Sequence, residues 1–528
     1  MAEAAVEINT AAADFAQIVG AEHVITDPAE CRVYSNDIFF WDDAYTADVV
    51  VQPGSASEVS EIVKVAARLG LSTYTRGGGM SYTKGYVPAV GGAVLIDMRR
   101  VNQIFEINPT DRYVVVGTGC TWEKVAEALK PHGLKLVFLA PFSGIHSTVG
   151  GALSQNVPAS MKGILGLEVV RADGSIVRTG AWGRKASHGK AAPFFRDYGP
   201  DMTGMFLGDT GAFGIKTAAV MHLYARPEGT AHASFAFETY EDMAATMIDL
   251  GNYDYLYRRV GLDPFKSQNS VKVGFKEALK TLGDVSTSGT SMLSGLKDTV
   301  KMAAQGAAGM VGATSFMDGV KWSMHLSTEA LDTAGAETGM ERVRKVCLKR
   351  GREIANVLPR AMEAKGFSVR GFLGGQGQRW VPTNSLWPLS RAVEVATAVQ
   401  GFFNARRPEM QKHGIWESYM TNWGQGYFQC EPSFYWVDEV SELHLRHLGK
   451  EEADKFRALP ANLPARTFAK QLRMELRDFF YDLGAVHVQL AKFYRFEDSL
   501  SAETWRLLKD VKGMLDPERR LNPHNLGL

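Results

Sequence analysis

Apolar and polar positions alternate between helical and strand-like spacing along the first 180 residues. A capping box of Ser55 and Glu58 precedes apolar residues at helical spacing, which predicts a helix ending at Gly70. A β-prone run at 71–75 follows it. The same reasoning predicts strands at 113–117 and 134–139, a helix at 122–130 and, around an Asp-Gly turn, a hairpin over 167–179.

The pattern changes after Arg226-Pro227. Half of the ten tryptophans lie between Trp380 and Trp436, which predicts an aromatic cluster in a second domain. A stretch at 283–319, rich in Gly, Ala, Ser and Met, is predicted to be a loop, with an amphipathic helix as the alternative. The predicted elements of this part are strands at 231–238 and 321–329, a helix at 240–252 and a helical region at 340–365 interrupted at Pro359.

Composition excludes several classes of protein. Lys plus Arg and Asp plus Glu each number 58, so the chain has no net positive charge with which to hold a nucleic acid. An apolar fraction of 45% and a charged fraction of 22% are typical of soluble globular domains. The four cysteines lie far apart, and the N-terminus lacks the basic and apolar regions of a secretory signal. We therefore expect a cytoplasmic protein, with peripheral contact at the inner membrane through 283–319 left open.

Several common motifs are absent or incomplete. No G-x-G-x-x-G spacing occurs, which argues against NAD. The segment 183–191 has the wrong spacing for a phosphate-binding loop of the G-x-x-x-x-G-K-[ST] type. It also carries Ala191 where that motif has the metal-binding Ser or Thr hydroxyl. His444 and His447 are three residues apart in a charged run, and we predict a solvated helix face there, and no metal.

Three glycine-containing segments remain, and each adjoins predicted regular structure. They are Arg76–Tyr82, Ser143–Gln155 and Gly208–Ile215. Consecutive backbone N–H groups in such turns form anion-binding nests, which hold a pyrophosphate without lysine side chains. Each segment alone is also compatible with an ordinary tight turn.

Together, the R-G-G-G loop at Arg76, the V-G-G-A at Val149 and the G-D-T-G-A-F-G-I at Gly208 resemble the vanillyl-alcohol oxidase and p-cresol methylhydroxylase flavoproteins. The resemblance covers about 47–227, and D-P-x-x-x-x-N-P at 516–523 resembles the family's C-terminal signature. It implies an α+β fold with a PCMH-type FAD-binding domain at 1–226, a mixed α/β substrate cap at 227–480 and a return to the first domain at 481–528. The members nearest in character are of the glycolate oxidase and D-lactate dehydrogenase type.

The resemblance also implies which residues bind FAD, the expected cofactor. Attachment of the flavin through the first loop is excluded, because 76–85 contains no His or Cys; attachment through a cap-domain histidine stays open. Thr210 replaces the acidic residue usual in its segment. The implied FAD-binding residues are Arg76, Gly77, Gly78, Gly79, Met80, Ser81, Tyr82, Pro141, Thr148, Gly150, Gly151, Gly208, Gly211, Gly214, Ile215 and Asn522.

Candidate catalytic residues lie later in the chain. His487 is the predicted base, because a histidine is matched to neutral pH. Arg379 is a candidate carboxylate fork, and Glu431 and Tyr435 form an acidic and aromatic pair in the tryptophan-rich region. The region matching the metal-dependent branch, 419–428, contains no histidine, so no metal is expected.

We expect an FAD-dependent enzyme that oxidises a CH–OH donor by hydride transfer to flavin N5. A 2-hydroxy acid leads narrowly over a bulky aromatic alcohol. The alternative of another class is a non-redox flavin enzyme of the alkylglycerone-phosphate synthase type, an alkyl transferase. The expected partners are a small-molecule substrate and an electron acceptor, for which oxygen, a quinone and a carrier protein stay open, as does a homodimer.

Overall fold

The computed structural model describes residues 2–137, 143–157, 162–185, 191–263, 265, 319–364, 372–424 and 426–528. The chain divides into two compact units. The first unit comprises Met1–Arg226, Ser441–Ala453 and His487–Leu528, and the second comprises Pro227–Val440 and Asp454–Val486. Residues 441–453, which the sequence placed in the cap, therefore lie in the first unit.

The described elements are fourteen helices and eighteen strands, numbered in chain order. The helices are α1 (Ala2–Val19), α2 (Pro28–Tyr34), α3 (Ala56–Arg68), α4 (Trp122–Leu129), α5 (Val149–Ser154), α6 (Met202–Met205), α7 (Tyr240–Asp249), α8 (Thr333–Cys347), α9 (Val357–Ala364), α10 (Ala392–Lys412), α11 (Glu442–Leu445), α12 (Lys450–Arg457), α13 (Leu463–Leu483) and α14 (Ala502–Leu515). The strands are β1 (Val24–Ile25), β2 (Val49–Val51), β3 (Ser72–Arg76), β4 (Ala93–Asp97), β5 (Ile104–Asn108), β6 (Tyr113–Gly117), β7 (Leu134–Leu136), β8 (Ile164–Val170), β9 (Ile176–Arg178), β10 (Ile215–Ala225), β11 (Gly229–Phe237), β12 (Leu256–Leu262), β13 (Trp322–Ala330), β14 (Arg352–Ile354), β15 (Arg379–Pro382), β16 (Ser385–Pro388), β17 (Trp416–Gly424) and β18 (Tyr427–Trp436).

The first unit contains a small sheet of order β1-β2-β4-β3, in which β2, β4 and β3 are parallel. Strands β2 and β4 are apolar and buried on both faces, as parallel strands commonly are. Helix α3 connects β2 to β3 and buries Val59 and Ile62 in one core with Val51 and Ile96. Its N-terminus has one half of the predicted capping box: Ser55 Oγ accepts from Glu58 N at 3.2 Å, and the Glu58 carboxylate accepts from Gly54 N at 2.8 Å instead of from Ser55 N.

The second sheet of the first unit is antiparallel and has the order β5-β6-β10-β8-β9, with β7 also paired to β10. Strand β10 is its long central member, paired with β6 on one side and β8 on the other. The parallel sheet ends at Arg76 and Asp97 on the same edge. A loop that follows β3 therefore starts at the carboxyl ends of parallel strands, where ligands bind in open α/β sheets.

The second unit contains one large sheet of order β14-β11-β13-β12-β17-β18-β15, with β16 also paired to β18. Helices α7, α8 and α10 pack on one face of this sheet. Contacts on that face include Tyr240 Oη with Thr421 Oγ1 at 2.9 Å and the ring of Phe403 with that of Phe434 at 5.8 Å. The opposite face carries the side chains of alternate residues, among them Glu431 and Tyr435.

Most of the elements predicted from the sequence in described regions are present, and β6 has the predicted limits. One prediction was wrong: Pro359 does not interrupt the second helical region but lies inside α9, near its start, where proline is tolerated. The interruption lies at β14, between α8 and α9. The predicted loop at 283–319 lies outside the described residues apart from Gly319. No helix in the described ranges is long and apolar enough to cross a membrane.

Candidate functional site

The loop after β3 is in direct contact with the segment before α5. A Cβ placed on Gly78 would lie 1.8 Å from the carbonyl oxygen of His146, and one on Gly77 would lie 2.2 Å from Thr148 Oγ1. Gly79 has φ +80°, a conformation that L side chains rarely adopt. Glycine is therefore required at Gly78 by the close approach of a backbone, at Gly77 by the close approach of the Thr148 side chain, and at Gly79 by a left-handed conformation.

The segment at 143–155 is organised by side-chain and backbone hydrogen bonds. Thr148 caps α5 by accepting from Gly151 N at 3.3 Å. A Cβ on Gly150 would lie 2.7 Å from Thr118 Cβ, which explains the glycine there. Predicted residue Pro141 lies outside the described residues. The first two glycine segments thus form one continuous backbone surface.

The third segment joins the same surface through its backbone. Gly208 N donates to Leu153 O at 2.9 Å and Thr210 N donates to Ser154 O at 2.8 Å. Asp209 shapes the turn, because its carboxylate accepts from Gly211 N at 2.9 Å and from Lys216 Nζ at 2.5 Å. This ion pair is almost completely buried. Sequence reasoning missed Asp209, although it stands in the glycine segment as the residue before Thr210.

Residues from the C-terminus tie the first and third segments together. Asn522 accepts from Thr75 N at 2.9 Å and donates to Gly211 O at 2.8 Å. Asn525 donates to Gly85 O at 2.8 Å and to Thr210 O at 2.7 Å. The N-P-x-N spacing therefore gives two amides that each join a residue flanking the first segment, Thr75 or Gly85, to the third segment. Asn525 was not predicted, although its position three residues after Asn522 suggests it.

The remaining predicted residues of these loops have several roles. Ser81 Oγ accepts from Thr83 N and Gly85 N. Tyr82 is buried, and Ile215 lies in the hydrophobic core with Val170. A Cβ on Gly214 would lie 2.4 Å from Val169 Cγ1. Gly214 and Ile215 thus hold the third segment against β8.

The surface fits a dinucleotide such as FAD. Three buried polar atoms around it have no hydrogen-bond partner among the described residues: Arg76 Nε, Gln155 Oε1 and Thr210 Oγ1. Buried polar groups normally have partners, so these atoms indicate a polar ligand. The guanidinium of Arg76 lies between the rings of Tyr34 and Tyr86, at 4.9 and 5.3 Å, and is 3% exposed. It supplies a positive charge at the start of the first loop.

Comparison with known families decides what this surface binds. A family model described as an FAD binding domain matches residues 47–180. Residues 47–180 are an FAD-binding domain. The match contains the first two glycine segments and the strands that carry them, and the FAD predicted from the sequence is thereby confirmed as the cofactor.

Sequence similarity to known proteins covers more residues than the match to the FAD-binding domain. Glycolate oxidase subunit GlcD of Bacillus subtilis is 30% identical over 245 residues, which cover 44% of this chain and 49% of the relative. This chain therefore spans about half the length of that relative.

Two solved structures match nearly the whole chain. The 4-ethylphenol oxidase of Gulosibacter chungangensis, in complex with isoeugenol, has a TM-score of 0.71 at 20% identity, covering 99% of this chain and 97% of that chain. For p-cresol methylhydroxylase with substrate bound, the TM-score is 0.70 at 19% identity, with the same coverage. The predicted α+β fold with a PCMH-type FAD-binding domain is confirmed, as is the resemblance to this flavoprotein family.

Glu431 and Tyr435 share one face of the large sheet of the second unit. Both lie on β18 at even spacing, on the face opposite α7 and α10, and both are buried. Gln429 Nε2 donates to Glu431 Oε2 at 3.0 Å, and Ser418 Oγ donates to Asp263 Oδ1 at 2.7 Å. Burial, together with the negative charges of Asp263 and Glu431, holds the pKa of Tyr435 well above its usual range.

Aromatic rings complete this face, which we call the acidic-aromatic face (Asp263, Trp416, Gln429, Glu431 and Tyr435). The ring of Trp416 stacks on that of Tyr435 at 6.4 Å. The predicted aromatic cluster is thus divided by the sheet: Trp387, Trp423, Trp436 and Phe434 point to the helix-covered face. Asp263 and Gln429 were missed, although Gln429 stands two residues before Glu431 on the same strand.

Arg379 lies on the other face of the same sheet. It pairs with Trp436 in the register of β15 and β18, and its guanidinium lies 5.7 Å from the Trp436 ring. Its Nη1 donates to the carbonyl of Glu439 at 3.3 Å, and the residue is 1% exposed. The sheet therefore separates Arg379 from Glu431 and Tyr435.

His487 belongs to the first unit and is half-buried. Its ring stacks on that of Tyr494 at 4.2 Å with an interplanar angle of 18°. Two residues later, Gln489 N donates to Gln155 O at 2.8 Å, which ties this segment to the second glycine segment. His487 thus lies close in sequence to a contact with the FAD-binding surface.

The prediction of a solvated helix face at His444 and His447 was wrong. His444 is fully buried, with its Nδ1 2.6 Å from Ser441 Oγ, and the ring of His447 lies 4.5 Å from that of His146. Burial lowers the pKa of His447 to about 3. The prediction failed because the charged residues around the two histidines indicate a solvent-exposed segment, but they do not show which side of a short helix is covered by the rest of the fold.

Proposed function

We propose that this chain is an FAD-dependent oxidoreductase that oxidises an uncharged aromatic CH–OH donor. When bound, FAD supplies the hydride acceptor. The FAD-binding domain supports the class of reaction, and the names of its relatives are those of oxidoreductases. The electrons then pass to an acceptor, for which oxygen, a quinone and a carrier protein are candidates.

The observation that carries the choice of substrate is the acidic-aromatic face. Trp416 and Tyr435 place two parallel aromatic rings on this face, and the carboxylates of Asp263 and Glu431 lie close enough to Tyr435 to raise its pKa. Aromatic rings stack on such surfaces, whereas buried carboxylates repel an anionic substrate. The face therefore favours an aromatic alcohol over a 2-hydroxy acid, which reverses the narrow preference from the sequence.

The same face supports roles for two side chains. Tyr435 stays protonated at neutral pH, because its pKa is raised, and it can donate a hydrogen bond to the oxygen of the donor. Glu431, fixed by Gln429, is a carboxylate that can accept the hydroxyl proton. His487 is the second candidate for this base, since a histidine is suited to proton transfer near neutral pH.

Anaerobic mixing with candidate substrates tests the proposed substrate class. We expect the visible absorbance of the flavin to disappear with a benzylic alcohol such as vanillyl alcohol. We expect no such loss with glycolate or D-lactate at the same concentration. A 2-hydroxy acid is the second candidate, because one relative is named a glycolate oxidase subunit; loss of absorbance with lactate alone would make it the substrate class.

Replacement of Glu431 by Gln tests its proposed role. We expect the rate of flavin reduction to fall by about 100-fold, since a positioned base contributes roughly this factor or more. The matched control is Glu417→Gln on the neighbouring strand β17, whose carboxylate pairs with Arg407 on the helix-covered side. An unchanged rate in Glu431→Gln together with a large loss in His487→Asn would assign the base to His487.

A further inference from the structure

A half-buried lysine, Lys492, lies behind the end of the first glycine loop. Lys492 Nζ donates to Asn525 Oδ1 at 2.6 Å, and its backbone N–H donates to Thr83 O at 3.2 Å. The same Asn525 amide donates to Gly85 O and Thr210 O. The ammonium of Lys492 is therefore hydrogen-bonded to a side chain that joins the residue Gly85, just after the first segment, to the third segment.

Two cations at the FAD-binding surface lack an ion pair: Arg76 is buried, and Lys492 is half-buried. Arg76 stands at the start of the first loop and Lys492 behind its end, and neither forms an ion pair with a carboxylate in the described part of the chain. Lys216 and Lys512, in contrast, pair with Asp209 and Asp516 at 2.5 and 2.7 Å. Burial of an unpaired charge is costly, so a bound anion or loss of a proton must relieve it.

We propose that Lys492 is a proton-linked residue of the FAD site: it takes up a proton when the diphosphate of FAD binds, so that affinity for FAD falls as the pH rises. Arginine stays charged at all ordinary pH values, so Arg76 offers a permanent charge to the diphosphate. Lysine can exist in either form, and the anion selects the charged one. The proposal concerns cofactor binding and is independent of the substrate.

The electrostatic surroundings of Lys492 support this linkage. Burial, the largest effect, lowers its pKa to about 7; the charge of Asp37 opposes this and that of Lys84 adds to it. Tyr74, whose ring lies 5.4 Å from Nζ, and Asn525 are uncharged near neutral pH. A bound anion raises the pKa of Lys492. The dissociation constant of FAD should then rise by up to about tenfold for each pH unit above about 7.

Titration of the FAD-free chain with FAD, followed by flavin fluorescence, tests this expectation without any substrate. Between pH of about 6.5 and about 8.5 we expect the wild-type dissociation constant to rise roughly 20-fold. Lys492→Arg should bind FAD with a nearly constant affinity over this range. Lys492→Gln should bind weakly at both pH values. The control Lys64→Gln, at an exposed lysine of α3, should keep the wild-type pH dependence.

Calorimetry on the unmodified chain gives a second measurement that does not depend on how a variant folds. At a pH of about 8, the binding enthalpies measured in HEPES and in Tris should differ by the difference between the ionisation enthalpies of the two buffers, multiplied by nearly one proton that the buffer releases and the protein takes up. Uptake of no proton, or a wild-type affinity that does not change with pH, would overturn the proposal. Persistence of the full pH dependence in a folded Lys492→Gln variant would also overturn it. None of these results depends on turnover of an alcohol.

Discussion

Gly78→Ala is expected to remove FAD from the purified chain. The added Cβ would lie 1.8 Å from the carbonyl oxygen of His146, a backbone atom that no side-chain rotation can move away. This steric clash can be removed only if the first two glycine segments, which form one surface, move apart. Overpacking of this kind costs about 3 kcal/mol or more, which corresponds to at least about 100-fold weaker binding. Flavin absorbance per mole of purified chain measures the effect.

The matched control is Gly91→Ala. A Cβ on Gly91 would meet nothing within 4 Å, and this glycine belongs to the same unit. The control should retain its flavin. A normal flavin content in Gly78→Ala, with a folded chain by circular dichroism, would show that the two segments do not jointly bind FAD.

Lys216→Met is expected to destabilise the first unit by about 3–5 kcal/mol. It leaves the Asp209 carboxylate charged and buried without the ammonium that lies 2.5 Å away. Loss of one partner of a buried ion pair has a cost of about this size. Urea unfolding, followed by the release of flavin fluorescence, reports the stability of the unit that holds FAD.

A double-mutant cycle separates this explanation from a simple loss of packing. The pair Asp209→Asn with Lys216→Met removes both charges and keeps an acceptor for Gly211 N, so it should recover part of the lost stability. Lys64→Met breaks an exposed ion pair with Glu61 and should change stability little. A Lys216→Met variant as stable as Lys64→Met would contradict the assigned role of the buried pair.

The sequence predicted secondary structure well where the deciding interactions lie within a few residues of one another. Strand β6 was predicted at its observed limits, and α3 to within two residues, because a continuous apolar run and a capping box act over a few residues. Pro359 shows the limit of such reasoning: proline is compatible with the first turn of a helix as well as with its end. The sequence pattern alone does not distinguish the two.

The candidate site also has features that the sequence predicted and features that it did not. The glycine segments led to the FAD-binding surface through their resemblance to a flavoprotein family, and the structure shows that glycine is needed at several of these positions because the backbone leaves no room for a Cβ. The sequence did not show which segments touch, or that Asn522 and Asn525 bridge them. Nor did it show that Arg379 and Glu431 occupy opposite faces, since this depends on the register between β15 and β18.

The kind of cofactor and the fold class were predictable from the sequence through the resemblance of its glycine segments to a flavoprotein family. Those segments are recognisable because close backbone approach and left-handed conformations require glycine at single positions. Only the tertiary structure decided how charges are paired: Lys216 has a buried carboxylate beside it, whereas the half-buried Lys492 has no ion-paired carboxylate in the described chain. The physical reason is that the cost of a charge depends on burial and on neighbours distant in sequence, and these are brought together only by folding.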